Sequence, residues 1–174
     1  MKEFALYIKF QEKKIETLKK WEHILDNINY NDIDVYIWIY DPKFRDLSSL
    51  GDIVQKFINK YKSIKFITNS NQDTFLTPIE IKYLDEFHNN NSLIHQKILT
   101  KSHLKAFMVP KNIEYIFKLD GDDMFYPNFK VKYFYDIVNY MKSNKLKILT
   151  RPFWMCRGQG WSFGFTIAES NILE

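Results

Sequence analysis

Residues 33–40 read Ile-Asp-Val-Tyr-Ile-Trp-Ile-Tyr, an almost unbroken apolar run of residue types that favour strands. A strand with one wet face alternates apolar and polar residues. A continuous apolar run fits a central strand buried on both faces, the usual condition of a parallel sheet. Parallel strands need crossovers of a dozen or more residues, most often helices. This one segment therefore sets what its neighbours must be.

The neighbours comply. Residues 4–10 read as a strand, and residues 13–28 as a helix with Ile15, Leu18, Trp21, Leu25 and Ile28 on one face. Asp41-Pro42 ends the apolar run. A second helix is predicted over residues 52–61, burying Val54, Phe57, Ile58 and Tyr61, and a short strand over 64–67. Thr77, Pro78 and Glu80 form a helix start, with a hydroxyl cap, proline in the first turn and a capping-box glutamate. That helix ends at Asn89-Asn90-Asn91. Ser92 can cap another, carrying Leu93, Ile94, Ile98, Leu104 and Met108 before Pro110 stops it. Residues 113–119 are the next strand. Pro127 opens a helix with Val131, Phe134, Val138 and Met141, and strands are expected over 146–150 and 161–168.

The order β-α-β-α-β-α-α-β-α-β-β predicts the α/β class, an open, mostly parallel sheet with helices on both faces. The 174 residues favour one domain, and no repeat, low-complexity stretch or linker divides them.

Composition excludes several function classes. The net charge of +4 is mild and the lysines are scattered, so nucleic-acid binding is not expected. Lys13-Lys14 and Lys19-Lys20 read as a solvated helix face, although an anionic substrate or peripheral contact with the inner face of a membrane is compatible with them. The one cysteine, Cys156, allows no internal disulfide and reads as a small buried apolar residue, which fits a cytoplasmic setting. Lys9 interrupts the first apolar run, which does not read as a signal peptide, and no apolar stretch nears the roughly 20 residues of a membrane span. His88, His95 and His103 lack metal-ligand spacing.

The chemistry gathers at Asp120-Gly121-Asp122-Asp123, directly after the strand over 113–119. In open α/β sheets ligands bind at the carboxyl ends of strands. Residues i and i+2 of extended backbone project to the same side, so Asp120 and Asp122 can face one ligand, and Gly121 allows close approach. Neighbouring carboxylates about 4 Å apart repel by about 4 kcal/mol per pair at an effective dielectric of about 20. They need solvent or a cation, and Mg²⁺ or Mn²⁺ takes carboxylate oxygens while leaving positions for phosphate. Read blandly, the same four residues are an acidic surface turn.

Competing motifs fail on inspection. An EF-hand loop from Asp120 needs an oxygen ligand at Met124, glycine at Phe125 and glutamate at Val131. A haloacid-dehalogenase-type phosphatase carries its aspartate pair after an early strand, and a Toprim nuclease needs a glutamate after an earlier strand. No G-x-G-x-x-G or G-x-x-x-x-G-K-[ST] phosphate loop is present.

The run from Tyr115 to Asn128, Tyr-Ile-Phe-Lys-Leu-Asp-Gly-Asp-Asp-Met-Phe-Tyr-Pro-Asn, resembles the DxD region of GT-A glycosyltransferases. It is most similar to the large inverting family that includes many bacterial surface-polysaccharide enzymes. The resemblance is specific in this segment and loose over residues 4–170. It implies a GT-A (Rossmann-like) fold, with residues 1–174 as a single nucleotide-sugar-binding domain. By position it implies that Asp120 faces the ribose, that Asp122 holds the metal with Asp123 as a second candidate, and that Asp41 contacts the base. An Asp-Pro turn that merely ends the strand explains Asp41 equally well. Phe10-Gln11-Glu12-Lys13 replaces the family's Pro- and Asn-containing first loop, and its Arg-Asn before the DxD strand is absent; Lys101 or Lys105 could supply a cation there, although a solvated helix face accounts for them better. Near the end, Arg151 or Arg157 could reach phosphate, and Trp154 or Trp161 could stack on a sugar. Core and turn roles serve these residues as well.

The implied activity is metal-assisted transfer of a sugar from a nucleotide diphosphate donor to a saccharide or other hydroxyl acceptor. The acidic general base of the family follows a strand like 161–168, so the acceptor part is expected to be incomplete within these residues. The same carboxylates could instead serve a metal-dependent phosphate-ester hydrolase or nucleotidyltransferase, or a non-catalytic nucleotide-sugar-binding module.

Overall fold

A computed structural model of the chain describes residues 2–40, 46–68, 77–86, 94, 112–121, 129–150 and 165–169. Six strands form one sheet: β1 (Lys2–Gln11), β2 (Ile33–Tyr40), β3 (Lys65–Thr68), β4 (Ile113–Asp120), β5 (Ile148–Thr150) and β6 (Phe165–Glu169). Their order is β3-β2-β1-β4-β6-β5. β1 runs parallel to β2 and β4, and β2 parallel to β3, whereas β6 is antiparallel to both β4 and β5. The α/β class and the open, mostly parallel sheet are as expected.

β2 is buried on both faces, as its apolar run requires. Ile33, Val35, Ile37 and Ile39 join one core cluster, and Tyr36 and Trp38 join another on the opposite face. The first cluster is the larger. There α2 (Asp52–Lys60) contributes Val54 and Phe57. A helix near the end of the described chain, here α4 (Lys132–Ser143), contributes Phe134, Val138 and Met141. The rings of Phe117 and Phe134 meet edge-on at 5.0 Å, and Phe4 lies 5.1 Å from Phe117. Burying each such side chain contributes about 1.5–3 kcal/mol, which fastens α4 to the centre of the sheet. On the second face Ala5, Tyr7, Trp38 and Ile116 are buried too. The helix expected over 92–110 lies outside the described residues apart from Ile94.

One element differs in kind from its prediction. Residues 13–28 were expected as a single α-helix, but a 3-10 helix spans Glu12–Trp21 and only a short α1 (Glu22–Leu25) follows. The apolar stripe explains this. Ile15, Leu18 and Trp21 recur every third residue, which a 3-10 helix aligns in one row, and Ile24 follows in α1. Leu18, Trp21 and Ile24 are buried and Ile15 packs against them.

The helix start at Thr77 forms as read. In α3 (Pro78–Glu86) the Glu80 amide donates to the Thr77 hydroxyl at 3.3 Å, and the Thr77 amide donates to the Glu80 carboxylate at 2.7 Å. Among the described residues no helix is long and apolar enough to cross a membrane.

Candidate functional site at the carboxyl ends of β1 and β4

The strand order locates a crevice. From β1 the chain proceeds outward to β2 and β3, then returns to lay β4 on the other side of β1. Connections at the carboxyl ends of β1 and β4 therefore diverge, and such a switch point is where open α/β sheets bind ligands. Asp120 is the last residue of β4 and pairs in register with Lys9 of β1. Tyr40 ends β2 opposite Gln11, so Asp41 is the next residue out of the strand on the far side of β1. Adjacent strands lie about 4.8 Å apart and β2 runs two residues, about 7 Å, further along β1 than β4, which separates the two strand ends by about 12 Å. Asp41, Asp122 and Asp123 themselves lie outside the described residues, as do Lys101, Lys105, Arg151, Trp154, Arg157 and Trp161.

Gly121 is the best-defined residue of the site. It is buried, and its amide donates to the Lys9 carbonyl at 2.6 Å, carrying the β1–β4 ladder one residue past the strand. Its carbonyl accepts the indole N–H of Trp21 at 2.9 Å. The ring of Phe10, the penultimate residue of β1, occupies the place where a Cβ on residue 121 would stand. Glycine is thus required here by space. Phe10 and Trp21 are 2% and 1% exposed, and their rings meet edge-on at 6.4 Å.

A cation stands beside this turn. Lys9 is half-buried at the carboxyl end of β1, with its ammonium 5.9 Å from the centroid of the Trp38 ring, near the limit of a cation–π contact. Its positive charge lies one strand from the backbone of Asp120, on the strand that also borders β2. Among the described residues no group of three or more His, Cys, Asp or Glu side chains comes together.

Sequence reasoning placed Gly121 at the site but missed its supports. Trp21 was assigned to a helix face and Phe10 to the end of a strand. A buried tryptophan needs a partner for its N–H, which is the one signal available in the sequence. The partner, 100 residues away, is not readable there.

No protein-family model matches the chain, and no curated protein sequence matches it. Among solved structures it is similar to residues 1–349 of TarS from S. aureus, with a TM-score of 0.49, 10% identity, and coverage of 98% of this chain and 48% of that one. TarS in complex with UDP-GlcNAc gives 0.48 at 10% identity, covering 98% and 46%. Core-mannan synthase A (CmsA/Ktr4) from Aspergillus fumigatus, in its Mn/GDP form, gives 0.48 at 10% identity, covering 98% and 60%. The chain spans about half the length of the TarS structures.

Proposed function

We propose that this chain is the nucleotide-sugar-binding domain of a GT-A-type glycosyltransferase, moving a sugar from a nucleotide diphosphate donor to a hydroxyl acceptor. The observation that carries the reading is the strand order, which brings Asp120 and Gly121 to the switch point between β1 and β4. Gly121 adds to it, because it is a buried glycine with no room for a Cβ and two more carboxylates follow it directly in sequence.

In this reading Asp120 meets the ribose, and Asp122, with Asp123 beside it, holds Mn²⁺ or Mg²⁺. Asp41 recognises the base from beyond the end of β2, two strands from the end of β4. These hard carboxylate oxygens suit such an ion, whose chemistry is to offset the charge of the departing diphosphate. Lys9 adds fixed positive charge on the intervening strand.

The test is a thermal-shift screen with UDP, GDP, CDP and dTDP and their sugar conjugates, each with and without Mn²⁺. Stabilisation by at least one nucleotide, enlarged by Mn²⁺, is expected. A ligand that binds native protein at 100 times its dissociation constant stabilises by about 2.7 kcal/mol, which such a screen resolves. Hydrolysis of p-nitrophenyl phosphate with no response to any nucleotide would contradict the proposal and favour a phosphate-ester hydrolase.

A further inference from the structure

We propose that the outer flank of α4, with the segment leading from it into β5, is a surface that docks onto an anionic lipid bilayer. The proposal is independent of the function proposed above and uses none of its site residues.

Charge singles out this stretch. Residues 129–149 carry five lysines, Lys130, Lys132, Lys142, Lys145 and Lys147, against one acid, Asp136. Their net charge of +4 equals that of the whole chain, so basic and acidic residues balance over the remainder. The Lys142 ammonium is engaged, 3.1 Å from Glu3 and 2.9 Å from Glu114. Lys130, Lys132, Lys145 and Lys147 are exposed, and among the described residues none of the four forms an ion pair. Lys145 holds a left-handed conformation (φ 52°) at the end of α4, where glycine is the common residue.

The fold sets aromatic surface between these cations. Tyr135 meets the Phe4 ring at 4.9 Å and Lys142 reaches Glu3 and Glu114, so that flank of α4 lies toward β1. Tyr133, Ile137 and Tyr140, spaced i, i+4 and i+7, make the opposite flank, on the side of β6 and β5. Tyr133 and Tyr140 are 36% and 57% exposed. Lys130 and Lys132 stand at the start of α4 and Lys145 and Lys147 beyond its end, bracketing the rings over about 18 Å. Tyrosine, with an apolar ring and a polar tip, suits the headgroup level of a bilayer. Lysine can lay its apolar stem along that surface and keep its ammonium among the phosphates. Specific protein and phosphate contacts favour the planar fork of arginine, and residues 129–149 contain none.

The test is co-sedimentation with vesicles of phosphatidylcholine alone and of phosphatidylcholine mixed equally with phosphatidylglycerol, in low and high salt. Wild type is expected on the anionic vesicles only, with release in high salt. Lys130→Gln/Lys132→Gln/Lys145→Asn/Lys147→Gln should bind more weakly by over about a hundredfold, since one lysine near such a surface is worth about fivefold. The control Lys19→Gln/Lys20→Gln/Lys56→Gln/Lys62→Gln removes equal charge from exposed lysines elsewhere and should keep most of the affinity. Equal losses in the two sets, or no binding of wild type to anionic vesicles, would overturn the proposal. Binding to soluble polyglutamate but not to vesicles would assign the face to an acidic protein and overturn it too. Should the first variant not fold, Tyr133→Ser/Tyr140→Ser decides, because it is expected to bind anionic vesicles more weakly and an unchanged affinity contradicts the proposal.

Discussion

The indole N–H of Trp21 meets the carbonyl of Gly121 at 2.9 Å, joining the end of a 3-10 helix to the end of β4 across 100 residues of chain. Phe10 packs against both partners, its ring edge-on to Trp21 and filling the space beside the Gly121 Cα. Three separate segments thus hold one glycine, the residue directly before Asp122 and Asp123 in sequence.

Gly121→Ala should therefore destabilise the protein by about 1–3 kcal/mol, the usual cost of forcing an extra methyl group into a packed core. Phe10 is buried and its ring base lies in the way, so it cannot swing aside cheaply. The double variant Phe10→Leu/Gly121→Ala should recover part of the loss. Urea unfolding of the four proteins in the cycle measures the coupling. Additive losses would show that the ring and the glycine are not in contact.

The sheet was readable because each of its signals is local. The apolar run of β2 announces burial on both faces, and Thr77 with Glu80 announces a helix start, using residues within a few positions of one another. The antiparallel direction of β6 and the lock on Gly121 depend on residues distant in sequence, and no periodicity reports them. The 3-10 helix was not legible, because the stripe of Ile15, Leu18, Trp21, Leu25 and Ile28 has the spacing of an α-helix face.

A second tie, away from the site, makes a prediction about acid. The Tyr61 hydroxyl donates to Asp26 at 2.6 Å, and the Lys60 ammonium lies 3.2 Å from the same carboxylate, joining α2 to the residue that ends α1. The Tyr61 hydrogen bond holds the Asp26 carboxyl below its usual range, against a smaller opposing effect of burial and with help from Lys60. A carboxyl lowered in the folded state stabilises above its unfolded value, so this contribution is lost as pH falls below about 4. Burial, and then the bond to Asp26, push the Tyr61 hydroxyl up to about 12, so its contribution holds below its unfolded value and is lost in strong alkali. Asp26 is half exposed, which limits its share to under about 1 kcal/mol. Tyr61→Phe should cost about 1 kcal/mol at neutral pH and flatten the acid limb of a stability–pH curve. An unchanged acid limb would show that the bond is not maintained in solution.

Asp41 follows β2, one strand beyond β1, and its proposed partner is the base of the nucleotide. Asp41→Ala should weaken nucleotide binding by about 1–3 kcal/mol, the cost of leaving a polar partner unsatisfied, with or without metal. Calorimetry in EDTA isolates this effect. Equal affinity for wild type and variant would assign Asp41 to the Asp-Pro turn alone.

The central claim is that the carboxylates after β4 bind a nucleoside diphosphate through a divalent ion. Titration calorimetry of wild type and Asp122→Asn with the preferred nucleotide, in Mn²⁺ and in EDTA, tests it most directly. Wild type should bind more tightly in Mn²⁺, and Asp122→Asn should lose most of that gain while unfolding in urea at the wild-type midpoint. Equal Mn²⁺-dependent affinity in the two proteins, or no Mn²⁺ dependence in either, would contradict the account.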